Sequence, residues 1–509
     1  MGLARTLSVA IAGVSGRPVE VEADLSAGLP GLTFTGLADI SVTQSRERIR
    51  SAVLNSGFGW PNRRITVALL PADVPKAGSV FDLALALAVL AAAGEVPAER
   101  IAQTVWLGEL GLDGRLRPVR GVLPAVLTAR GCGIGCVAVP MANGGEAALV
   151  ADVDIFAAVS LAEVVLALRG EGPPLCQPLP APGDGGETLP DLADVVGQPV
   201  GRRALEVAAA GRHHLLLHGV PGAGKTMLAE RLPAILPPLD AAESLEVTAI
   251  HSVAGALADG VGLIRRPPLQ APHHTASMSA LVGGGSTLGR PGAASLAHRG
   301  VLVLDEAAEF RPSVLDSLRQ PLESGRVALH RVGGLVEYPA RFQLVLATNP
   351  CPCGAAKDTE CACTPQARRR YQRRLSGPLL DRMDLRVPID PVSRADLMDE
   401  RAEREPSSVV AARVREARAA ARERWAGGGW TTNAEVPGSV LRTGPWRPPG
   451  AALAQLEDEI DKGTLSARGF DRVLRLSWTL SDLAGRAAPG LAEVSEALWL
   501  RTGRLGATQ

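Results

Sequence analysis

Eight consecutive residues, Gly219-Val220-Pro221-Gly222-Ala223-Gly224-Lys225-Thr226, fit the pattern GxxxxGK[ST]. An apolar run from His213 to His218 precedes them, and helical spacing begins at Met227. That is the strand–loop–helix context the pattern needs. Glycines there let backbone amides turn inward and cradle phosphate oxygens. Lys225 is placed to reach β- and γ-phosphates, and the Thr226 hydroxyl to ligate Mg²⁺. The bland alternative is a glycine-rich turn with no ligand. Lysine is scarce, which argues against chance: only Lys76, Lys225, Lys357 and Lys462 stand among 53 basic residues.

Two further strand ends supply partners for such a loop. Val301-Leu302-Val303-Leu304 runs into Asp305-Glu306. An apolar strand ending in two acids puts both carboxylates at the C-terminal edge of a parallel sheet, where ligands sit. Asp305 is the Mg²⁺ candidate, and Glu306 the group that orients and polarises water. Alone, the pair reads equally well as a helix N-cap. A third strand, Phe342 to Ala347, ends in Thr348-Asn349-Pro350. The neutral amide of Asn349 suits a hydrogen bond to both γ-phosphate and water; the alternative is an Asx turn before proline.

Directly after that strand, Cys351, Cys353, Cys361 and Cys363 give C-x-C-x₇-C-x-C. Four thiolates can close a tetrahedral Zn²⁺ site. Buried free cysteines or a redox disulfide are the alternatives. Arg368, Arg369, Arg370, Arg373 and Arg374 follow, with Tyr371 among them. They suit nucleic-acid phosphates with Tyr371 stacked on a base, and suit a solvated helix face or subunit salt bridges equally. The stretch Ser324 to Tyr338, with Arg326, His330 and Arg331, reads as a hairpin between two core strands and is another candidate for phosphate contacts.

The elements that must position these groups follow from length and pattern. At about 150 residues per domain, the chain predicts roughly three domains. Residues 1–170 read as mixed α/β, with strands over Leu3–Gly13, Pro18–Glu22 and Ile65–Leu70 and a helix over Ser41–Ser56. Residues 171–190 are dense in Pro and Gly and read as an unpacked linker. Residues 191–395 alternate strands and helices, the pattern of a parallel sheet between helical layers. Residues 396–509 read as a helical domain, with an exposed helix over 396–424 and a loop-rich insertion over 425–450.

Composition excludes several classes. The formal net charge is zero, so a globally basic nucleic-acid coat is ruled out while a local patch is not. Four of the seven cysteines cluster between Cys351 and Cys363, which argues for a reducing compartment. The longest apolar run, Leu83 to Gly94, is too short to cross a bilayer. The N-terminus alternates like a strand and predicts no signal peptide. A cytoplasmic protein without membrane contact is expected.

Longer strings carry a resemblance. Ala271-Pro272-His273-His274-Thr275-Ala276-Ser277, Leu281-Val282-Gly283-Gly284-Gly285, Leu318 to Gly325 and Asn349 to Gly354 resemble the YifB/ComM family of magnesium-chelatase-like AAA+ ATPases. The resemblance implies an α/β fold: an AAA+ P-loop core, an N-terminal Lon-protease-like α+β domain and a C-terminal helical lid of magnesium-chelatase type. It implies a homo-hexamer with ATP and Mg²⁺ at subunit interfaces. Gly377 to Arg382 resembles the arginine-finger segment, and Ser466 to Phe470 the second sensor, so Arg382 and Arg468 are the expected nucleotide-facing arginines, with Arg472 a near alternative. Lys76 to Asp82 and Gly108 to Val119 are similar to the Lon proteolytic domain, but the nucleophile position falls at Val80 and the base at Leu123. No peptidase activity is expected. The family implies a DNA motor: helicase and branch-migration work on single-stranded or branched DNA in natural transformation, alongside recombination proteins. A metal-chelatase ATPase subunit and a protein-remodelling ATPase are the rival readings.

Overall fold

The computed structural model describes residues 2–36, 40–183, 189–257, 260, 262–285, 289–331, 334–355, 360–399 and 404–503. Alternation at period two makes long strands of the first segments. β1 (Gly2–Ala12) and β2 (Ser15–Ser26) pair antiparallel, with Val19, Val21, Ala23 and Leu25 buried. Then follow β3 (Gly31–Thr35), α1 (Ile40–Asn55), β4 (Arg64–Leu70) and α2 (Asp82–Ala92). After them come β5 (Thr104–Trp106), α3 (Val122–Gly131), β6 (Cys136–Pro140), β7 (Asp154–Ala158) and α4 (Leu161–Arg169). The sheet order is β3-β4-β2-β1-β5-β6-β7. The apolar run expected from the sequence becomes α2, buried on nearly every side between the sheet and α1. No described helix is long and apolar enough to cross a membrane.

The stretch 171–190 differs from the unpacked linker expected. In its described part the Ala157 amide donates to the Cys176 carbonyl at 2.8 Å, and the Ala181 amide to Gly145 at 3.0 Å. Proline removes donors but leaves carbonyls, so a Pro-rich strap can still be hydrogen-bonded onto a domain surface.

The second sheet comes from α5 (Pro199–Gly211), β8 (Leu215–His218), α6 (Lys225–Ile235), α7 (Ala241–Ala254), β9 (Leu269–Gln270) and β10 (Val301–Leu304). β11 (Arg326–Arg331), β12 (Gly334–Pro339), β13 (Gln343–Thr348), α8 (Pro365–Gln372) and β14 (Leu385–Pro388) follow, of which β13 and β14 complete the sheet. The order is β9-β10-β13-β8-β14, all parallel. β8, β10 and β13 are short and apolar almost throughout, as strands covered on both faces must be. β11 and β12 form a separate two-stranded hairpin. Its inner residues Val327, Leu329, Val336 and Tyr338 are buried, while Arg326 and His330 are exposed.

The C-terminal helices are α9 (Ser407–Trp425), α10 (Gly450–Asp461), α11 (Ala467–Leu483) and α12 (Leu491–Thr502). α9 begins later than expected, after Pro406, and it is not an exposed helix. Val410, Val414, Ala417, Ala421 and Trp425 are buried against α5, α6 and α11. Two of these anchors are alanines, which dilute an apolar stripe in an Ala-rich sequence. The expected loop-rich insertion is folded around indoles: Trp425 lies 4.9 Å from Trp446 and 5.8 Å from Trp478, edge to face.

The two sheets do not keep separate cores. α3 packs on α7, and Leu245 and Ala249 of α7 join the cluster of Val122, Leu123 and Val126. The Gly121 amide donates to the Ser252 carbonyl at 3.3 Å, and the Ser252 hydroxyl to Glu146. Burial without a cation raises the Glu146 carboxyl above its ordinary range.

Candidate functional site

β8 sits between β13 and β14, in register His218 with Thr348 and His218 with Pro388; Leu304 pairs with Leu346. This register brings the ends of β8, β10 and β13 to one sheet edge. The Gly219 amide donates to the Thr348 carbonyl at 3.1 Å. A Cβ at Gly219 would collide with the Ile389 carbonyl, so only glycine fits. Gly222 and Gly224 take φ of 77° and 89°, the left-handed region that favours glycine.

Lys225 opens α6 and is buried. Its Nζ donates to the carbonyls of Gly219 and Val220, both at 2.8 Å, and to Asn349 Oδ1 at 3.0 Å. Burial lowers its pKa from the usual lysine range. Thr226 Oγ1 donates to Asp305 Oδ2 at 2.6 Å. A hydroxyl and a carboxylate at this spacing are hard oxygen donors that fit Mg²⁺. Thus Lys225, Thr226, Asp305 and Asn349, singled out in the sequence, meet at one point. Glu306 follows with φ of 49°, and its carboxylate lies 3.0 Å from His274 Nδ1.

Two contributors escaped the motifs. Gln198 has a φ of 59°, and its Nε2 donates to the carbonyls of Ala223 at 2.9 Å and Asp390 at 2.6 Å. It pins the phosphate loop to the end of β14. No local pattern marks a glutamine whose partners lie far along the chain. His274 was visible only inside a longer string, without a role.

Arg382 and Arg468 lie elsewhere. They share a cavity of about 270 Å³ with Glu323, Asp381, Asp384 and Arg472, and no residue of 219–226 lines it. Arg382 is ion-paired with Glu323 and donates to the Pro378 carbonyl at 2.6 Å. Arg468 is 74 % exposed and stands 4.0 Å from Asp381. Arg472 is tied to Asp384, whose carboxyl sits well below the usual range: burial opposes this and is outweighed by attraction led by the Arg472 charge. A fixed pair of this kind suits packing, and a free guanidinium suits ligand capture.

The four cysteine sulfurs lie within 4.8 Å of one another. Cys351 Sγ is 3.3 Å from Cys353 and 3.5 Å from Cys361, and Cys353 is 3.4 Å from Cys361. Zinc–sulfur bonds of about 2.3 Å set tetrahedron edges near ~3.8 Å, so the donor set fits zinc. The same loop abuts the phosphate loop: a Cβ on Gly354 would lie 2.6 Å from Pro221.

The base-stacking role expected of Tyr371 is not supported. Its ring is 3 % exposed, and burial pushes its hydroxyl up to about 12. Helical spacing turns it inward while Arg369, Arg370 and Arg373 face out. Arg374 is engaged with Glu309 at 2.9 Å.

Comparison with known proteins agrees with this geometry. Residues 191–397 match the family model described as magnesium chelatase, subunit ChlI. Residues 21–143 match a subunit ChlI of Mg-chelatase model, and 404–501 a ChlI C-terminal model. An uncharacterized protein of Mycobacterium tuberculosis is 53 % identical over 501 residues, 98 % of this chain and 99 % of its own. Competence protein ComM of Haemophilus influenzae is 40 % identical over 505 residues, 98 % of each chain. Uncharacterized protein YifB of Salmonella typhimurium is 40 % identical over 496 residues, 95 % of this chain and 94 % of its own. A shorter match, 30 % over 142 residues (26 % of this chain, 18 % of the other), is to Lon protease of Mycolicibacterium smegmatis.

Proposed function

Because the chain belongs to the YifB/ComM family of magnesium-chelatase-like AAA+ ATPases, we propose that it is a hexameric, ATP-driven motor acting on DNA, with helicase and branch-migration activity. The observation that carries the ATPase half is the meeting of Lys225, Thr226, Asp305 and Asn349 at one sheet edge. Backbone amides of Gly222, Gly224, Lys225 and Thr226 hold the phosphates. Lys225 exchanges its carbonyl partners for phosphate oxygens. Thr226 and Asp305 hold Mg²⁺, which neutralises phosphate charge. Glu306 orients and deprotonates the attacking water, and Asn349 fixes water and γ-phosphate together. Arg382 and Arg468, remote from their own phosphate loop, act on the nucleotide of a neighbouring subunit.

The DNA half rests on the likeness to ComM, a competence protein. Exposed Arg369 and Arg370 on α8, Arg373 just after it, and Arg326 and His330 on the hairpin supply phosphate contacts. The test is the ATP hydrolysis rate alone and with single-stranded, duplex or four-way-junction DNA, with Lys225→Ala as control. Stimulation by single-stranded or junction DNA that falls as salt rises supports the motor. Hydrolysis indifferent to every DNA removes that half and leaves an ATPase that serves a chelatase or a protein substrate.

The four cysteines hold a structural Zn²⁺ that braces the phosphate loop through the Gly354–Pro221 contact. The Cys353→Ser/Cys361→Ser variant is expected to lose one bound zinc per chain by metal analysis and to bind ATP at least several-fold more weakly. Zinc-free wild-type protein with full ATP affinity would end this assignment.

A further inference from the structure

A second basic pocket lies away from the phosphate loop, where the ATPase core meets the C-terminal helices. Its volume is about 300 Å³, near the lower bound for small-molecule sites. The core supplies Arg212, Arg299 and Gln343; α9 and the segment after it supply Arg415, Arg418, Arg422 and Thr432. Arg212 and Arg299 have carboxylate partners, Glu435 at 3.4 Å and Glu243 at 3.1 Å. Arg418 has none among the described residues: its Nε and Nη2 both donate to the Ala209 carbonyl, at 2.9 and 2.6 Å. Burial depresses its pKa to about 9 against the longer-range attraction of Glu243 and Glu435; Asp240 and Glu243 also line the pocket, beside its five arginines. Arg415 and Arg422 stand exposed at the rim, without an ion pair among the described residues.

Two polar atoms add an independent sign. Gln343 is 1 % exposed, and its Nε2 donates to the carbonyls of Ala208 at 3.0 Å and His213 at 2.8 Å. Two carbonyls fix that amide orientation, and its Oε1 has no hydrogen-bond partner. Thr432 is 4 % exposed, and its Oγ1 is also unpartnered. Buried polar atoms rarely stay unsatisfied in a native protein. The backbone is strained at the same place. Five described non-glycine residues have positive φ. Gln198 and Glu306 border the nucleotide site; Arg212 and Arg299, both at 61°, border this pocket.

We propose that this pocket is a second ligand site, for a small phosphorylated compound that also carries hydroxyl groups. Its phosphate is held by Arg418 with Arg415 and Arg422, and its hydroxyls satisfy Gln343 Oε1 and Thr432 Oγ1. Bound there, it bridges core and lid, and so stabilises one arrangement of the two. The inference is independent of the DNA reading.

The test uses the full chain carrying Lys225→Ala, so that the phosphate loop is disabled, and titrates ribose 5-phosphate, inorganic phosphate and ribose by calorimetry. Ribose 5-phosphate is expected to bind most tightly, phosphate more weakly, and ribose not at all. Arg418→Gln should weaken ribose 5-phosphate at least tenfold. Arg415→Ala/Arg422→Ala changes only exposed side chains, so it should fold normally and weaken binding several-fold. Thr432→Val should weaken ribose 5-phosphate but not phosphate, and should not lower the melting temperature of the free protein. No binding of either phosphate compound, or equal affinity in the rim variant and its parent, overturns the site.

Discussion

The chain holds two places shaped for chemistry, and they have diverged. At the edge of the parallel sheet, every residue type needed for phosphate work is present and in contact: Lys225 on Asn349, Thr226 on Asp305. At the place similar to Lon protease, the positions expected for nucleophile and base hold Val80 and Leu123. Val80 and Val122 line a cavity of about 440 Å³ with Val253, Arg290 and Tyr338 of the ATPase core. Ser79 donates to Glu109, and Lys76 is buried against the Pro71 carbonyl. Leu123, at the base position, is fully buried in a cluster shared with α7. The helix that carries it, α3, is packed between the domains against α7.

The strongest way to break this contrast is to disable each place in turn. Lys225→Ala is expected to cut ATP turnover at least ~100-fold, and Glu306→Gln by about 10²–10⁴ while ATP binding persists. Ser79→Ala should leave turnover unchanged. A steady-state ATPase assay with nucleotide titration decides it. Full turnover in Glu306→Gln would remove that residue from its role.

Next in size is restoration of the lost dyad. Val80→Ser/Leu123→Lys would put an amine in a fully buried position whose nearby carboxylate, Glu146, is already engaged by the Leu123 amide at 3.0 Å and the Ser252 hydroxyl. Desolvating a lysine in that packed cluster costs several kcal/mol even beside a carboxylate, and the large-to-polar change adds to it. The melting temperature should fall by several degrees, at about 2–4 °C per kcal/mol for 150–250 residues, with no cleavage of a fluorogenic peptide. A stable variant that hydrolyses peptides would show that the place had kept its chemistry.

Legibility in the sequence followed the range of the interaction. The phosphate loop, Asp305 and Asn349 were readable because each sits on a short apolar run whose end is local, and strand register then aligns them. The cysteine cluster was readable because all four thiols lie within thirteen positions of one another. Gln198 was not, because its partners at Ala223 and Asp390 are set by tertiary placement. The inward turn of Tyr371 was missed because five arginines around it dominate the local composition. The buried stripe of α9 was missed because alanine counts weakly toward amphipathicity while filling a tight helix contact well. The pocket between core and lid was invisible, since its arginines come from distant segments.

The smallest effect expected is on pH, and it separates the same two regions by sign. All eight histidines fall between His213 and His330, within the ATPase core. His214 accepts from the Leu344 amide at 3.0 Å, and burial lowers its pKa to about 4. His251 and His298 are lowered by burial too. A histidine with a depressed folded pKa leaves the native state binding fewer protons than the unfolded chain. Its contribution is therefore intact above about pH 6.5 and is lost as pH falls toward about 4. Glu146, at the α3–α7 contact, is shifted upward instead, so acidification above its unfolded value favours the native state there. Hydrogen exchange at pH 7 and pH 5, corrected for intrinsic rates, should show protection falling in 215–218 and 343–348 while 122–131 holds. Equal loss in both would mean that the shared cluster of Leu123, Leu245 and Ala249 makes the two regions one cooperative unit, in which the core histidines set the acid limit for the whole.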